Sequence, residues 1–187
     1  MACIRDRQFG APAPDRYWGM AYTSQQLSDL RCIEEVTTRY TYGLDRLDRD
    51  TMRSAYWPDA VDHHGPAFDG LAWDYVDVAM ASHKRWAPSL HTLMNQIIEL
   101  DDDGVNARGE AYCIAYLFDT EQPVLFQWFG RYLDHFQKRD DEWRILERVC
   151  VHEAGRVDDP VVPMPFPTEL FRPGTFDRPA SGRRIGP

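Results

Sequence analysis

The chain has 187 residues, 43% of them apolar, which suits one domain with a sizeable core and flanking segments. A formal net charge of -9 argues against nucleic acid or an acidic membrane surface as a partner, and no long apolar run predicts a membrane span. Aromatic residues reach 13%, and aromatic side chains line pockets for flat apolar ligands.

The first segment, residues 1–22, predicts an extended N-terminal arm, because Gly10, Pro12 and Pro14 lie among scattered charges. The arm lacks the apolar core of a secretion signal. Neither a zinc site nor a redox motif matches the spacing of Cys3, Cys32, Cys113 and Cys150. We therefore expect a cytoplasmic protein with reduced thiols.

An amphipathic helix of about six turns follows the arm, with Thr23 or Ser24 as its N-cap. Its apolar positions recur every three or four residues: Leu27, Leu30, Ile33, Val36, Tyr40, Leu44 and Leu47. Asp45 lies on or beside this stripe near the end of the helix. A carboxylate in such a place is costly unless another group pairs with it.

The middle of the chain predicts a short helix over roughly 50–57 that ends at Pro58, then a short strand over 60–65 and a third helix over roughly 71–86. After Pro88 the pattern changes to period two, and strands are expected over 89–100, 105–119, 124–139 and 143–155. Long consecutive strands with short turns favour an antiparallel meander with helices on one face. The prediction is an α+β domain over residues 23–156, a curved antiparallel sheet around helices with one open mouth.

The last segment, residues 157–187, holds seven of the 13 prolines, which excludes helix and central strand. It keeps apolar residues, so we expect it to pack on the domain or on a neighbouring subunit. The outer face of the sheet is expected to carry Trp128 and Phe136, which a monomer would expose. These features predict a homo-oligomer, with a trimer as the favoured state.

The order of the elements and five segments together resemble the SnoaL-like branch of the nuclear-transport-factor-2-like superfamily over roughly residues 22–155. The segments are YTYGLDRLD, AYWPDAV, HTLMNQII, GRYLDHF and DDEWRILERV. Within that superfamily the chain is most similar to the scytalone dehydratase, hexachlorocyclohexane dehydrochlorinase and bile-acid dehydratase group. The resemblance implies a cone-shaped fold, lyase activity without metal or other cofactor, and commonly a trimer.

The resemblance also implies the catalytic residues, which match Asp45, His91, Tyr40 and Arg148 in this sequence. A carboxylate that accepts a hydrogen bond from one imidazole nitrogen fixes the tautomer and makes the other nitrogen a better base. Such a histidine can remove a carbon-bound proton at neutral pH. The expected partner of Asp45 is therefore His91.

The expected substrate pocket begins at His64, where the bile-acid dehydratase has a tyrosine, and at Asn95, which belongs to the family's H-x-x-x-N pattern. Period two would place His91 and Asn95 on one strand face with Leu93 and Ile97. Further aromatic wall residues are expected at Tyr56, Trp57, Tyr112, Tyr116, Trp128 and Tyr132. Adjacent residues on a strand point to opposite faces, so the pair His63-His64 does not predict a metal site.

The sequence leaves the chemistry open within one reaction class. The preferred hypothesis is a lyase that acts on a small aromatic or polycyclic substrate, with water, halide or a carbon fragment as the leaving group. Formaldehyde release from a lignin-derived diaryl compound belongs to the same hypothesis. In each case Tyr40, His64 or Arg148 would assist the departure of the leaving group. The rivals are a non-catalytic partner similar to the small subunit of a ring-hydroxylating dioxygenase, a ketosteroid-isomerase-like isomerase and a plain ligand-binding module.

Overall fold

The computed structural model describes residues 21–160. The predicted arm up to residue 20 and the proline-rich segment beyond residue 160 therefore lie outside the described residues. Within 21–160 the chain forms helices packed on one curved, unclosed sheet, so the α+β prediction is confirmed. No helix in this range combines the length and the apolar character that a membrane crossing requires.

The elements follow one another with short connections. The helices are α1 (Ser24–Asp45), α2 (Arg49–Arg53) and α3 (Ala72–His83). The strands are β1 (Tyr56–His63), β2 (Asp69–Leu71), β3 (Trp86–Leu100), β4 (Asn106–Asp119), β5 (Leu125–Arg139) and β6 (Glu142–Asp158). Their order across the sheet is β2-β1-β6-β5-β4-β3. The strands β3 to β6 form the predicted antiparallel meander, but β1 pairs with β6 in parallel, so the sheet is mixed.

The long helix α1 begins as the sequence predicts, with Thr23 as its N-cap, and the structure adds a capping box between Thr23 and Gln26. Ile33, Val36, Tyr40 and Leu44 of its apolar stripe are buried, because this part of the helix packs into the concave face of the sheet. Leu27, in the first turn, is 54% exposed, and Leu47 lies beyond the end of the helix. Near its end, the position of a Cβ on Gly43 would lie 2.5 Å from the backbone nitrogen of Met52. Glycine is thus what lets α1 and α2 approach so closely.

The segment after α2 departs from the predicted helix over 50–57. The helix ends at Arg53, and Tyr56 already begins β1, because the backbone nitrogen of Ile145 donates a hydrogen bond to the Ala55 carbonyl and draws the chain into the sheet. Pro58 therefore lies inside β1, at a register shift of the β1–β6 ladder where a missing N–H is tolerated. The third helix is also shorter than predicted, ending at His83.

Strand β3 breaks its own alternation near the middle. Asn95 has a left-handed φ of 47°, and the ladder to β4 shifts register between Met94 and Ile97. This is a β-bulge, and one extra residue reverses which side chains face inward. Ile98 therefore packs against the core while Ile97 is 45% exposed. The prediction that Asn95 and Ile97 share a face with His91 and Leu93 is wrong for this reason.

The alternation along β5 also corrects an expectation about the outer face. Phe136 is fully buried, and Trp128 packs against the core cluster, so both lie on the inner face. The outer face exposes other apolar side chains instead, among them Leu90, Ile97 and Tyr112.

Candidate active site

The carboxylate of Asp45 is the best-anchored group in the site. It lies at the C-terminal end of α1, where the helix dipole opposes a negative charge, and it is nearly buried. Three hydrogen-bond donors offset the cost of burying this charge. Ser89 Oγ lies 2.8 Å from Oδ1, the His91 backbone nitrogen 2.8 Å from Oδ2, and His91 Nδ1 2.7 Å from Oδ1. The structure thus brings Asp45 and His91 together, and Ser89 with them.

The tautomer of His91 follows from this contact. A carboxylate oxygen accepts hydrogen bonds, so Nδ1 carries a proton, and in the neutral imidazole Nε2 is the nitrogen with the lone pair. The side chain is only 6% exposed and is held on both its backbone and its ring. An imidazole fixed in this way can accept a proton at Nε2 with little reorganisation.

A second histidine, His83 at the end of α3, lies beside His91 with ring centroids 5.6 Å apart. Its Nδ1 is 3.1 Å from the Ala79 carbonyl, which requires a proton on Nδ1. Burial lowers the pKa of His83 to about 4. Its Nε2 is buried and has no hydrogen-bond partner in the described part of the chain, so it remains a free acceptor near His91.

A second Asp–His pair lies on the same interior. Asp62, fully buried on β1, accepts a short hydrogen bond from His64 Nδ1 and one of 2.5 Å from the Tyr56 hydroxyl. On the other side of the imidazole, Nε2 lies 2.9 Å from the Tyr75 hydroxyl, and the two rings stack with centroids 4.1 Å apart. The Tyr75 hydroxyl is 3.4 Å from that of Tyr40.

Arg148 lies in the interior beside Tyr40 and Tyr132. It is fully buried, and its Nε and Nη2 each donate to the Asp134 carboxylate at 2.7 Å. The guanidinium lies 4.0 Å from the ring centroid of Tyr40 and 4.2 Å from that of Tyr132. Burial lowers the pKa of Arg148, but the carboxylate of Asp134 outweighs that effect and holds it well above its ordinary value. Its Nη1 is buried without a partner among residues 21–160 and can donate to a ligand.

Two of the predicted wall residues lie on the inner face. Tyr132 is 2% exposed, and its ring lies 5.5 Å from Tyr40 and 6.0 Å from Trp128. Burial raises the pKa of Tyr40 and of Tyr132, so both hydroxyls keep their protons. Tyr56 is also buried, but its hydroxyl is engaged by Asp62 and its role is to hold that carboxylate.

Three other predicted pocket residues lie elsewhere. Trp57 donates its Nε1 hydrogen to the Gln137 carbonyl, and the guanidinium groups of Arg139 and Arg144 lie 4.9 Å and 4.8 Å from the centroid of its ring. Tyr112 is 43% exposed on the outer face, because the adjacent Cys113 points inward. Asn95 is exposed at the bulge of β3. Period two alone did not reveal these orientations.

Five residues around these groups were not predicted from the sequence to belong to the site: Ser89, Asp62, Tyr75, Asp134 and His83. A usable signal existed for two of them. Ser89 stands two residues before His91 and shares its face of β3, and Asp62 stands two residues before His64, which directly follows β1. Tyr75 and Asp134 carry no such signal, because their partners lie on other elements.

The described residues give less support to a cysteine nucleophile or to a metal site. Burial raises the pKa of Cys113 to about 11 and that of Cys150 to about 12, so neither thiol supplies a thiolate at neutral pH. No group of three or more His, Cys, Asp or Glu side chains in the described range is arranged to hold a metal ion.

Comparison with known proteins identifies relatives of this arrangement. The family model of the SnoaL-like domain matches residues 25–149. No curated protein sequence matches the chain.

Among solved structures, a candidate scytalone dehydratase from Novosphingobium aromaticivorans superposes with a TM-score of 0.66 at 20% identity, over 72% of this chain and 91% of that one. The type-3 hexachlorocyclohexane dehydrochlorinase from Novosphingobium barchaimii gives 0.64 at 17% identity, over 75% and 97%. The Kfla4162 protein from Kribbella flavida gives 0.62 at 17% identity, over 70% and 94%. At these identities the likeness shows the shared fold.

Proposed function

The chain belongs to the family of SnoaL-like domains, and on that premise we propose that it is a cofactor-independent lyase with an Asp45–His91 dyad. The observation that carries the proposal is the hydrogen bonding of Asp45. Three donors fix its carboxylate, one of them is His91 Nδ1, and the lone pair of His91 Nε2 is left to accept a proton. A structural partner or a plain binding module has no need of such an arrangement in its interior.

The proposed reaction is an elimination. His91 Nε2 takes a proton from an acidic carbon, and the C–H electron pair becomes the new double bond as the leaving group departs from the neighbouring carbon. Asp45 stabilises the imidazolium that forms, without taking the proton itself. Arg148, with its free Nη1 donor, stabilises negative charge that develops on the substrate.

The proposed substrate is a small hydrophobic compound with aromatic or polycyclic rings. Trp128 and Tyr132 stack with centroids 6.0 Å apart on the inner face, and Trp86 lies 6.4 Å from Phe126 on the neighbouring part of the sheet. Flat aromatic faces of this kind favour flat apolar ligands. The named structural relatives include a candidate scytalone dehydratase and a hexachlorocyclohexane dehydrochlorinase, and both names denote eliminations from cyclic compounds.

The test begins with a screen of hydroxylated and halogenated aryl and polycyclic compounds that carry an acidic C–H. On the substrate found, His91→Ala is expected to lower kcat/KM on the order of a hundredfold to ten-thousandfold. Asp45→Asn should also cost a large factor, because an amide favours the wrong imidazole tautomer. The double variant should be nearly as slow as the slower single variant, because both residues serve one proton transfer.

The matched control is His135→Ala, which removes an imidazole whose Nε2 pairs with Asn106. This variant should keep wild-type turnover. Near-UV circular dichroism must show that each variant is folded. Wild-type turnover in folded His91→Ala would refute the dyad and favour the non-catalytic partner.

A further inference from the structure

We propose that Ser89 is a positioning residue, which sets the basicity of His91 through its hydrogen bond to Asp45. The inference rests on the proposed Asp45–His91 dyad and deepens it, because it names the residue that controls how readily the dyad takes up a proton. Ser89 acts on the carboxylate, while the proton is accepted at the far nitrogen of the imidazole.

The first argument is that the Ser89 hydroxyl and the imidazole share one acceptor. Ser89 Oγ lies 2.8 Å and His91 Nδ1 2.7 Å from Oδ1 of Asp45, whereas Oδ2 accepts the backbone N–H of His91. A hydrogen bond donated to a carboxylate stabilises its charge and makes the oxygen a weaker partner for a second donor. The serine therefore lowers the support that Asp45 gives to a protonated His91, and the imidazole takes up its proton at a lower pH than it would without the serine.

The second argument is that packing fixes the hydroxyl in place. Ser89 is 1% exposed, lies on β3 directly opposite Leu117 of β4, and stands two residues before His91. The ladder between the two strands runs without a register shift from Ser89 to Met94, so Ser89 and His91 direct their side chains to the same face. The two donors therefore reach Asp45, at the end of α1, from one continuous stretch of strand.

The third argument is the chemical type of the donor. Asp45 is nearly buried at the C-terminal end of α1, where the helix dipole disfavours a negative charge, so the carboxylate needs hydrogen-bond donors. A lysine or arginine at position 89 would hold the carboxylate but would cancel the charge that supports the imidazolium. A serine hydroxyl is a neutral donor, so it holds the carboxylate and leaves its charge available to His91.

The elements packed against β3 also present titratable groups to the dyad, and these are uncharged near neutral pH. On α3, the ring of His83 lies 5.6 Å from that of His91, and burial lowers the pKa of His83 to about 4. On β4, Cys113 lies close enough to Asp45 to be affected by its charge, and burial raises the pKa of this thiol to about 11. A change in the titration of His91 near neutral pH therefore reports the state of the Asp45 carboxylate.

The experiment compares Ser89→Val with Ser89→Thr. Both new side chains are β-branched and nearly equal in size, so they share the cost of the added methyl group, and only threonine keeps the hydroxyl. Nitrogen-15 NMR spectra of the imidazole rings follow the protonation of His91, whose signals are identified by their absence in His91→Gln. The midpoint of this titration should lie about 0.5 to 1 pH unit higher in Ser89→Val than in Ser89→Thr. The measurement needs no substrate, so its result does not depend on the proposed reaction.

The second readout is the pH profile of kcat/KM on the substrate found in the screen above. A general base works in its neutral form, so the acid limb of the profile should move upward together with the titration of His91. Ser89→Val should therefore be about threefold to tenfold slower than Ser89→Thr on the acid limb, and no slower on the alkaline plateau. A residue with a structural role alone would lower kcat/KM by one factor at every pH.

Ser89→Ala against the wild type repeats the comparison without the added methyl group, and an upward shift of the His91 titration is expected again. Equal His91 titrations in folded Ser89→Val and Ser89→Thr would overturn the inference. A difference in kcat/KM between these two variants that is the same at every pH would overturn it as well. An upward shift of the titration in a protein whose folded His91→Ala variant keeps wild-type turnover would support the coupling of Ser89 to His91 and refute the lyase dyad.

Discussion

The ion pair of Arg148 and Asp134 offers a direct test of how the site is held together. Both side chains are buried, at 0% and 3% exposure, and two hydrogen bonds of 2.7 Å join them. Arg148→Met leaves the Asp134 carboxylate buried and unpaired, which typically costs about 3–5 kcal/mol. Loss of the guanidinium contacts with the rings of Tyr40 and Tyr132 adds roughly 1 kcal/mol.

Urea unfolding followed by tryptophan fluorescence measures this loss. Asp134→Leu should be destabilised by a similar amount, because it leaves the arginine charge alone. The double variant Arg148→Met/Asp134→Leu removes both charges and should be clearly more stable than the sum of the single losses predicts. Additive losses would refute the reasoning, because they would mean that the two charges do not compensate each other.

The pH dependence of Arg148→Met gives an independent check. Burial raises the pKa of Asp134, and in this variant no guanidinium opposes the shift. The folded variant therefore binds a proton more tightly than the unfolded chain does, and protonation stabilises it. The stability deficit relative to wild type should be largest at pH 7 to 8 and should shrink as the pH falls through the raised folded pKa. A deficit that does not change with pH would contradict this account.

Four further predictions concern His83, Gly43, metal dependence and the oligomeric state. His83 has a folded pKa of about 4 against about 6.5 in a free chain, so the unfolded state takes up the proton first on acidification and stability falls between these values by roughly 3 kcal/mol. His83→Gln should flatten that acid slope, and an unchanged slope would contradict it. Gly43→Ala should cost about 1–3 kcal/mol because its methyl meets the backbone of Met52, whereas Gly70→Ala, with a side chain 3.4 Å away, should cost little. Chelators should leave turnover unchanged, and activity lost to a chelator and restored by one metal would count against side-chain catalysis. Light scattering should find a homo-oligomer, with a trimer expected, since Leu90, Ile97 and Tyr112 expose more than 40% of their surface on the described chain; a monomer at micromolar concentration would overturn it.

The sequence alone determined those features that depend on local patterns. The period of three and four with an N-cap signal at Thr23 predicted α1, and the period of two with short turns predicted the strands β3 to β6. The segments that match the SnoaL-like family pointed to Asp45 and His91, which the structure brings within 2.7 Å. Each of these features is encoded within a few neighbouring residues or in a known order of segments, so it can be recognised without coordinates.

Only the tertiary structure decided what depends on register and on contacts between distant segments. The β-bulge at Asn95 reverses which side chains of β3 point toward the core, and no pattern of apolar residues in the sequence indicated this bulge. Asp134 and Arg148 meet because they are direct partners across the β5–β6 ladder, and a register different by one residue would place them on opposite faces. Tyr75 reaches His64 only because α3 packs on β1. Such pairings follow from the packing of the whole domain, since the energy that selects them is shared among many contacts rather than encoded at either residue.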